Sequence, residues 1–308
     1  MLTFSHFASD SRCRLVRAGE GLFGERVVVT LRRLWLLVRV GLAGLAFLGF
    51  WVGGILLVAI ALPLTRLRHL RAPALERAAA CQRWVQLSFT FLHDYMRWCG
   101  LLHFQPRTVD RATPGPRFVM VANHPTLVDV AALAAVYGRL TCAAKSVLFR
   151  SPVVGHVLRW SAYLDGGDGG PFSGASVVQQ ALDRLRGDMP VLVFPEGTRS
   201  PLDGLHPFKR GAFEIACRAD VPIFPILIRC NPAALGKGRP WYDIPSRTAM
   251  FTVTPLPPMN PRDFDHDAPK MAARCEALFR RQLGLITAET DTPEAPGPQD
   301  QALENVGP

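Results

Sequence analysis

The sequence predicts an α/β layer fold: a largely parallel sheet flanked by helices, preceded by an N-terminal hydrophobic membrane helix or re-entrant hairpin. Three observations carry this. Short apolar runs recur at 117–122, 140–144, 190–194, 221–228 and 249–254, and helical patterns lie between them at about 126–137, 173–187 and 208–219. Such alternation is what strands joined by crossover helices produce. No charged residue occurs from Val40 to Thr65, an unbroken run that is rare in a water-soluble domain. The chain has 308 residues, enough for one sizeable core with an appendage.

Residues 1–39 form a basic N-terminal segment, and its arginine-rich first part, 1–26, is expected to hold little fixed structure. The membrane segment follows at 40–65. Its core, Gly41 to Leu64, is long enough for a helix to cross roughly 30 Å of hydrocarbon. Glycines 41, 44, 49, 53 and 54 and Pro63 also permit a hairpin that folds back. Arginines flank both sides, so the positive-inside rule does not choose an orientation. Residues 66–105 read as an amphipathic helical linker whose aromatics, including Trp84, Phe89, Phe91, Tyr95 and Trp98, suit either a membrane interface or the core of the next domain. The α/β domain is assigned to 106–286, closed by an amphipathic helix from Lys270 to Leu285. The proline-rich, acidic stretch 287–308 reads as a disordered tail.

The formal charge is +10, and the last twenty residues carry five acids and no Lys or Arg, so residues 1–288 carry +15. That balance favours anionic partners such as membrane lipids or phosphorylated substrates. Nucleic acid is disfavoured, because no aromatic–basic interleaving appears. The seven cysteines are scattered, without C-x-x-C or metal spacing, and read as reduced packing residues on a cytosolic face. No metal site is expected.

The first stretch that carries chemistry is Asn123-His124-Pro125-Thr126-Leu127-Val128-Asp129. It follows the strand at 117–122 and leads into a helix, with Pro125 suited to the first helical position. A carboxylate at Asp129 can turn back to one nitrogen of His124, fix its tautomer and leave the other nitrogen to take a proton. There is no G-x-S-x-G elbow, so the nucleophile is expected to be a substrate hydroxyl. The same spacing also describes a solvated loop histidine and a helix N-terminal acid. The second stretch is Phe194-Pro195-Glu196-Gly197-Thr198-Arg199-Ser200, a loop at the carboxyl end of a strand, where open α/β sheets bind ligands. Gly197 allows close backbone approach and Arg199 offers a planar fork for phosphate. Alone, it also reads as an ordinary turn.

Together the two stretches strongly resemble the glycerophospholipid acyltransferase family, of the bacterial 1-acylglycerol-3-phosphate acyltransferase type with its His-x4-Asp motif. The resemblance covers about 100–260 and includes Lys145 in Ala-Ala-Lys-Ser, the basic segment Phe208-Lys209-Arg210-Gly211 and the proline-flanked strand from Val221 to Pro225. It implies a membrane-bound enzyme on the cytoplasmic face of a bacterial inner membrane. The acyl group would pass from acyl-CoA or acyl-carrier protein, as co-substrate, to a lysophospholipid hydroxyl, without a cofactor. His124 is then the base and Asp129 its partner, while Asn123, Lys145, Glu196, Gly197, Thr198 and Arg199 belong to substrate binding. One block departs: where the family places an arginine after an apolar pair, this chain has Leu164-Asp165-Gly166-Gly167-Asp168. Two acids repel a phosphate. A non-standard lipid acceptor, an aryl-polyene-type acyl group or a non-catalytic membrane-binding relative are the alternatives this departure keeps open.

Overall fold

A computed structural model of the chain describes residues 7–105, 113–167, 173–202 and 204–286, with side chains from Val28 onward apart from Ser173. The expected tail at 287–308 and residues Asp168 to Gly170 of the departing block lie outside the described residues.

The chain begins as a helix, α1 (Phe7–Leu56), which continues through one π turn (Leu57–Ala61) into α2 (Leu62–Arg68). Two expectations change here. The basic segment is helical from Phe7, because no proline interrupts residues 7–56 and a helix once nucleated extends cheaply. The five glycines do not reverse the chain either, so the rod is continuous and not a hairpin. Pro63 sits in the first turn of α2, a position that tolerates proline, directly after the π turn in which Leu62 N–H donates to Leu57 O. The stretch Val28–Arg68 is apolar enough to cross a membrane, with mean hydropathy 2.5 in its best window. Residues 28–38 are exposed on every side, whereas Arg39, Ala43, Ala46, Leu57 and Leu62 are buried against the rest of the protein.

A turn leads into α3 (Ala74–Trp98), which returns along α1. One of its faces buries Ala78, Cys81, Gln82, Val85, His93 and Met96, while Trp84, Leu87, Phe91 and Trp98 stay exposed. The helix therefore has a core face and an apolar outer face.

The sheet has seven strands in the order β1-β7-β6-β2-β5-β3-β4. They are β1 (Leu102–Phe104), β2 (Val119–Ala122), β3 (Thr141–Ala144), β4 (Leu164–Asp165), β5 (Val191–Val193), β6 (Ile223–Asn231) and β7 (Ala249–Pro255). Every pairing is parallel except β6 with β7. In β2 the alternation of side chains is plain: Met120 and Ala122 join a core with Met96, Leu133 and Phe251, while Val119 and Val121 join the opposite core with Ala181, Phe213 and Phe279. The first core is roofed by α3 and α4 (Asp129–Tyr137), the second by α7 (Ser173–Arg186), α8 (Gly211–Ala219) and α9 (Ala268–Gln282). Two short helices, α5 (Ser146–Phe149) and α6 (Val154–Trp160), fill the β3–β4 crossover. They were not anticipated, and neither were the edge strands β4 and β1, of two and three residues.

His93 is a buried cost in this core. Its ring stacks on Phe104 at 3.9 Å between centroids, and Nε2 has no hydrogen-bond partner. Burial lowers its pKa to about 4. The folded state thus holds the ring neutral, while the unfolded chain takes a proton near pH 6.5. Stability should fall as pH drops from about 6.5 to about 4, by roughly 3 kcal/mol in total from this group. Thermal unfolding in detergent should show that decline for the wild-type chain and a flatter profile for His93→Phe; parallel profiles would refute the assignment.

Candidate functional site

Strands β2 and β5 lie side by side at the centre of the sheet, and both stretches singled out in the sequence leave their carboxyl ends. The loop after β2 is shaped by Asp129. This residue is fully buried at the first position of α4, and its Oδ2 lies 2.6 Å from His124 Nδ1. The same oxygen accepts the Thr126 N–H at 2.7 Å, and Oδ1 accepts the Thr126 hydroxyl at 2.6 Å. Burial pushes the carboxyl above the usual carboxylate range, and the donors on His124 and Thr126 oppose it. The helix therefore starts at Asp129 and not at Pro125: a carboxylate that takes the Thr126 N–H outcompetes a helical turn there. With Nδ1 committed to Asp129, the neutral ring carries its proton on that side and Nε2 is free to accept one. The His124 side chain is 20% exposed and its ring stacks on Phe194 at 4.2 Å.

Glu196 joins the second loop to the first. It is buried at 3% exposure, and its Oε1 lies 3.1 Å from the His124 N–H and 2.5 Å from Ser200 Oγ. Its Oε2 accepts the His206 N–H at 2.9 Å. Ser200 closes the join from both sides, with its hydroxyl oxygen 3.1 Å from the His124 N–H and its own N–H donating to the His124 carbonyl at 2.8 Å. Glu196 thus clamps the backbone of His124, where the sequence reading expects a substrate contact. Asn123 likewise has a structural role beside its expected one. Its amide is buried, with Nδ2 donating to Ile228 O at 2.9 Å and Oδ1 accepting Ile228 N–H at 2.7 Å, so it bolts the loop to β6.

Gly197 adopts φ +69°, a left-handed conformation, and a Cβ there would stand 2.9 Å from Lys209 Nζ. Lys209 therefore arches over the turn. Thr198 is half-buried beside it. Arg199 is half-buried, and one nitrogen, Nη1, donates to Leu235 O at 3.2 Å and Gly236 O at 3.1 Å. The rest of its fork makes no hydrogen bond among the described residues. Lys145 is exposed one strand away, at the end of β3, where it opens α5. Asp165, at the end of β4, is held by the Ser146 hydroxyl and the Gly167 N–H, and Gln180 brackets its backbone. The Asp165 carboxylate is thus fixed locally. Among the described residues no group of three or more His, Cys, Asp and Glu is placed to hold a metal ion.

Four contributors escaped the sequence reading: Thr126, Phe194, Ser200 and Lys209. Each lies within a motif already quoted, so the signal for them was membership of the block, without any hint of the partner.

The family model described as Acyltransferase matches residues 103–229. A 1-acyl-sn-glycerol-3-phosphate acyltransferase of Chlamydomonas reinhardtii is 31% identical over 163 residues, covering 52% of this chain and 48% of its own length. The human 1-acyl-sn-glycerol-3-phosphate acyltransferase alpha is 38% identical over 120 residues, covering 37% of this chain and 41% of its own. The matched stretch therefore spans less than half the length of either relative. The crystal structure of the 1-acyl-sn-glycerophosphate (LPA) acyltransferase PlsC from Thermotoga maritima superposes with a TM-score of 0.63 over 83% of this chain and 98% of its own, at 18% identity, which establishes the fold.

Truncating Asn123 to Ala strands the N–H and C=O of Ile228 inside the sheet. Chemical unfolding should show a loss of about 1–3 kcal/mol for Asn123→Ala. A variant with wild-type stability and only a weaker grip on substrate would return Asn123 to the substrate site.

Proposed function

We propose that this chain, whose residues 103–229 match the family model described as Acyltransferase, moves an acyl group from a thioester to the free hydroxyl of a 1-acylglycerol-3-phosphate-like acceptor. The single observation that carries the reading is the 2.6 Å contact of His124 Nδ1 with a fully buried Asp129, which leaves Nε2 as a free base. The acceptor hydroxyl gives its proton to Nε2 as its oxygen attacks the thioester carbonyl. Asp129 stabilises the imidazolium that forms. The tetrahedral intermediate then collapses, the C–S bond breaks, and the thiolate leaves with the proton returned by His124. A thiolate is a weakly basic leaving group, so the step calls for no protein-bound metal or cofactor. The open half of the Arg199 fork, with Lys209 and Lys145 nearby in the same ridge of strand ends, supplies positive charge for the acceptor phosphate. The donor is acyl-CoA or acyl-carrier protein.

The exposed apolar surface supports a lipid boundary as the setting of this chemistry. The uncharged run 40–65 touches the domain at both ends, at Ala43 and Ala46 and again at Leu57 and Leu62. Its outer side, with Leu48, Trp51 and Ile55, and the outer face of α3, with Trp84, Phe91 and Trp98, are left exposed. Helix and domain meet the membrane together, side-on, with the site at the headgroup level of a bacterial inner membrane's cytoplasmic leaflet. A second reading has one observation behind it. Asp165 puts a negative charge where the family's arginine would stand, which favours an acceptor presenting a hydroxyl and not a phosphate to that end of the sheet.

Purified protein in vesicles, given long-chain acyl-CoA and lysophosphatidic acid, should release free thiol, and His124→Ala should lower the rate by about 10²–10⁴-fold. Equal thioester turnover in both proteins removes His124 as the base. Faster turnover with an uncharged lysolipid than with lysophosphatidic acid would favour the Asp165 reading.

A further inference from the structure

The connection from β6 to β7, residues 232–248, lies outside the matched family segment and touches both the site and the apolar helix. At the site end a single carbonyl, that of Leu235, receives two donors: Arg199 Nη1 at 3.2 Å and the Leu127 N–H at 3.1 Å. It therefore joins the Arg199 loop to the His124 loop. Leu235 adopts φ +54°, a left-handed conformation that an L side chain rarely takes without support. The Gly236 carbonyl adds a second hold on Arg199 at 3.1 Å.

Six residues beyond Leu235, Trp241 rests on α1. Its ring centroid is 5.4 Å from that of Phe47, and a Cβ built on Gly44 would sit 3.5 Å from the indole edge. The absence of a side chain at Gly44 is what lets the ring lie against the helix. The intervening segment is braced by the Arg239–Asp243 ion pair at 3.4 Å and by turn bonds from Arg239 N–H to Gly236 O and from Asp243 N–H to Pro240 O. The far end is held to the same helix. Arg39, almost fully buried on α1, donates to Arg247 O at 3.3 Å and to Gly100 O at 2.8 Å, and the Thr248 hydroxyl also reaches Gly100 O.

We propose that residues 232–248 form a strut that sets the position of Arg199 and Leu127 from the seating of α1, with Trp241 as its positioning residue. The strut matters to catalysis because Arg199 binds the acceptor, a part of the argument that rests on the acyltransferase reading. A rigid apolar contact on α1 is transmitted through a short braced turn to the one carbonyl that holds both loops. Trp241 touches no substrate, so its effect is expected at the acceptor end and not at the thioester or at the base.

The test uses the full chain in lipid vesicles. Trp241→Ala should raise the acceptor KM about 5- to 30-fold, leave the thioester KM unchanged and leave the pH profile of kcat, which His124 governs, where it was. Trp241→Phe should restore most of the loss. Gly44→Leu, which fills the seat from the helix side, should reproduce the effect, and the double variant should add little to either single one. Site-resolved hydrogen exchange supplies a readout free of turnover: the Leu127 amide should exchange faster in Trp241→Ala, while the Thr126 amide, held by Asp129, should not. Unchanged Leu127 exchange overturns the strut even if the enzyme is active. Faster Leu127 exchange in a chain that transfers no acyl group supports the strut and defeats the acyltransferase reading. Equal losses of kcat and melting temperature in Trp241→Ala and Trp241→Phe would reduce Trp241 to a general stabilising contact and also overturn the proposal.

Discussion

Two carboxylates taken out of water hold this site in place. Asp129 is fully buried and Glu196 nearly so, and a buried carboxylate is tolerated only where donors satisfy it. Each finds its donors in the loops that follow β2 and β5. Asp129 gathers the Thr126 N–H, the Thr126 hydroxyl and the His124 ring, which closes the first loop on itself. Glu196 reaches out of the second loop to the His124 N–H and brings Ser200 and His206 with it. Satisfying the two charges therefore determines the path of both loops, and the His124 ring has little freedom left once they are met.

The sheet decides why these loops meet at all. β2 lies between β6 and β5, so its carboxyl end is flanked by Ile228 on one side and Phe194 on the other. Asn123 spends its whole amide on Ile228, while Phe194 supplies a flat surface for the imidazole. The chain places its apolar helix against the same core that carries β2, through Ala43 and Ala46. Small residues let the helix approach closely there, and the glycine at 44 that resembles a hinge in the sequence serves instead as a seat for Trp241. The proposed base, the proposed phosphate ligand and the surface proposed to meet lipid are in this way parts of one packed unit.

The acidic stretch that begins at Asp165 has a physical form in the structure. Asp165 is bonded by Ser146 and Gly167 and bracketed by Gln180, so its charge is anchored at the end of β4. A fixed charge discriminates between ligands more strongly than a mobile one, since it does not swing away to relieve repulsion. In the proposed function, the choice of acceptor thus turns on an edge strand two residues long.

Much of this was legible in the residues alone. Five of the strands follow from apolar runs, α4, α7, α8 and α9 from their periods, and the His124–Asp129 pair from a five-residue spacing that a tight loop can close. Chemistry that is local in sequence leaves a local trace. What the sequence could not show is where side chains with several uses spend their hydrogen bonds. Asn123 and Glu196 carry groups suited to a substrate, and only their partners, 105 and 72 residues away along the chain, reveal that they hold the backbone. The continuous helix from Phe7 to Leu56 was hidden for a related reason, since glycine permits a turn but does not require one, and packing against the domain decides which conformation wins. The sequence by itself determined which chemistry is present and the order of its elements. The tertiary structure decided which polar groups remain free to act, because hydrogen-bond satisfaction in a buried site depends on neighbours that the chain brings together only by folding.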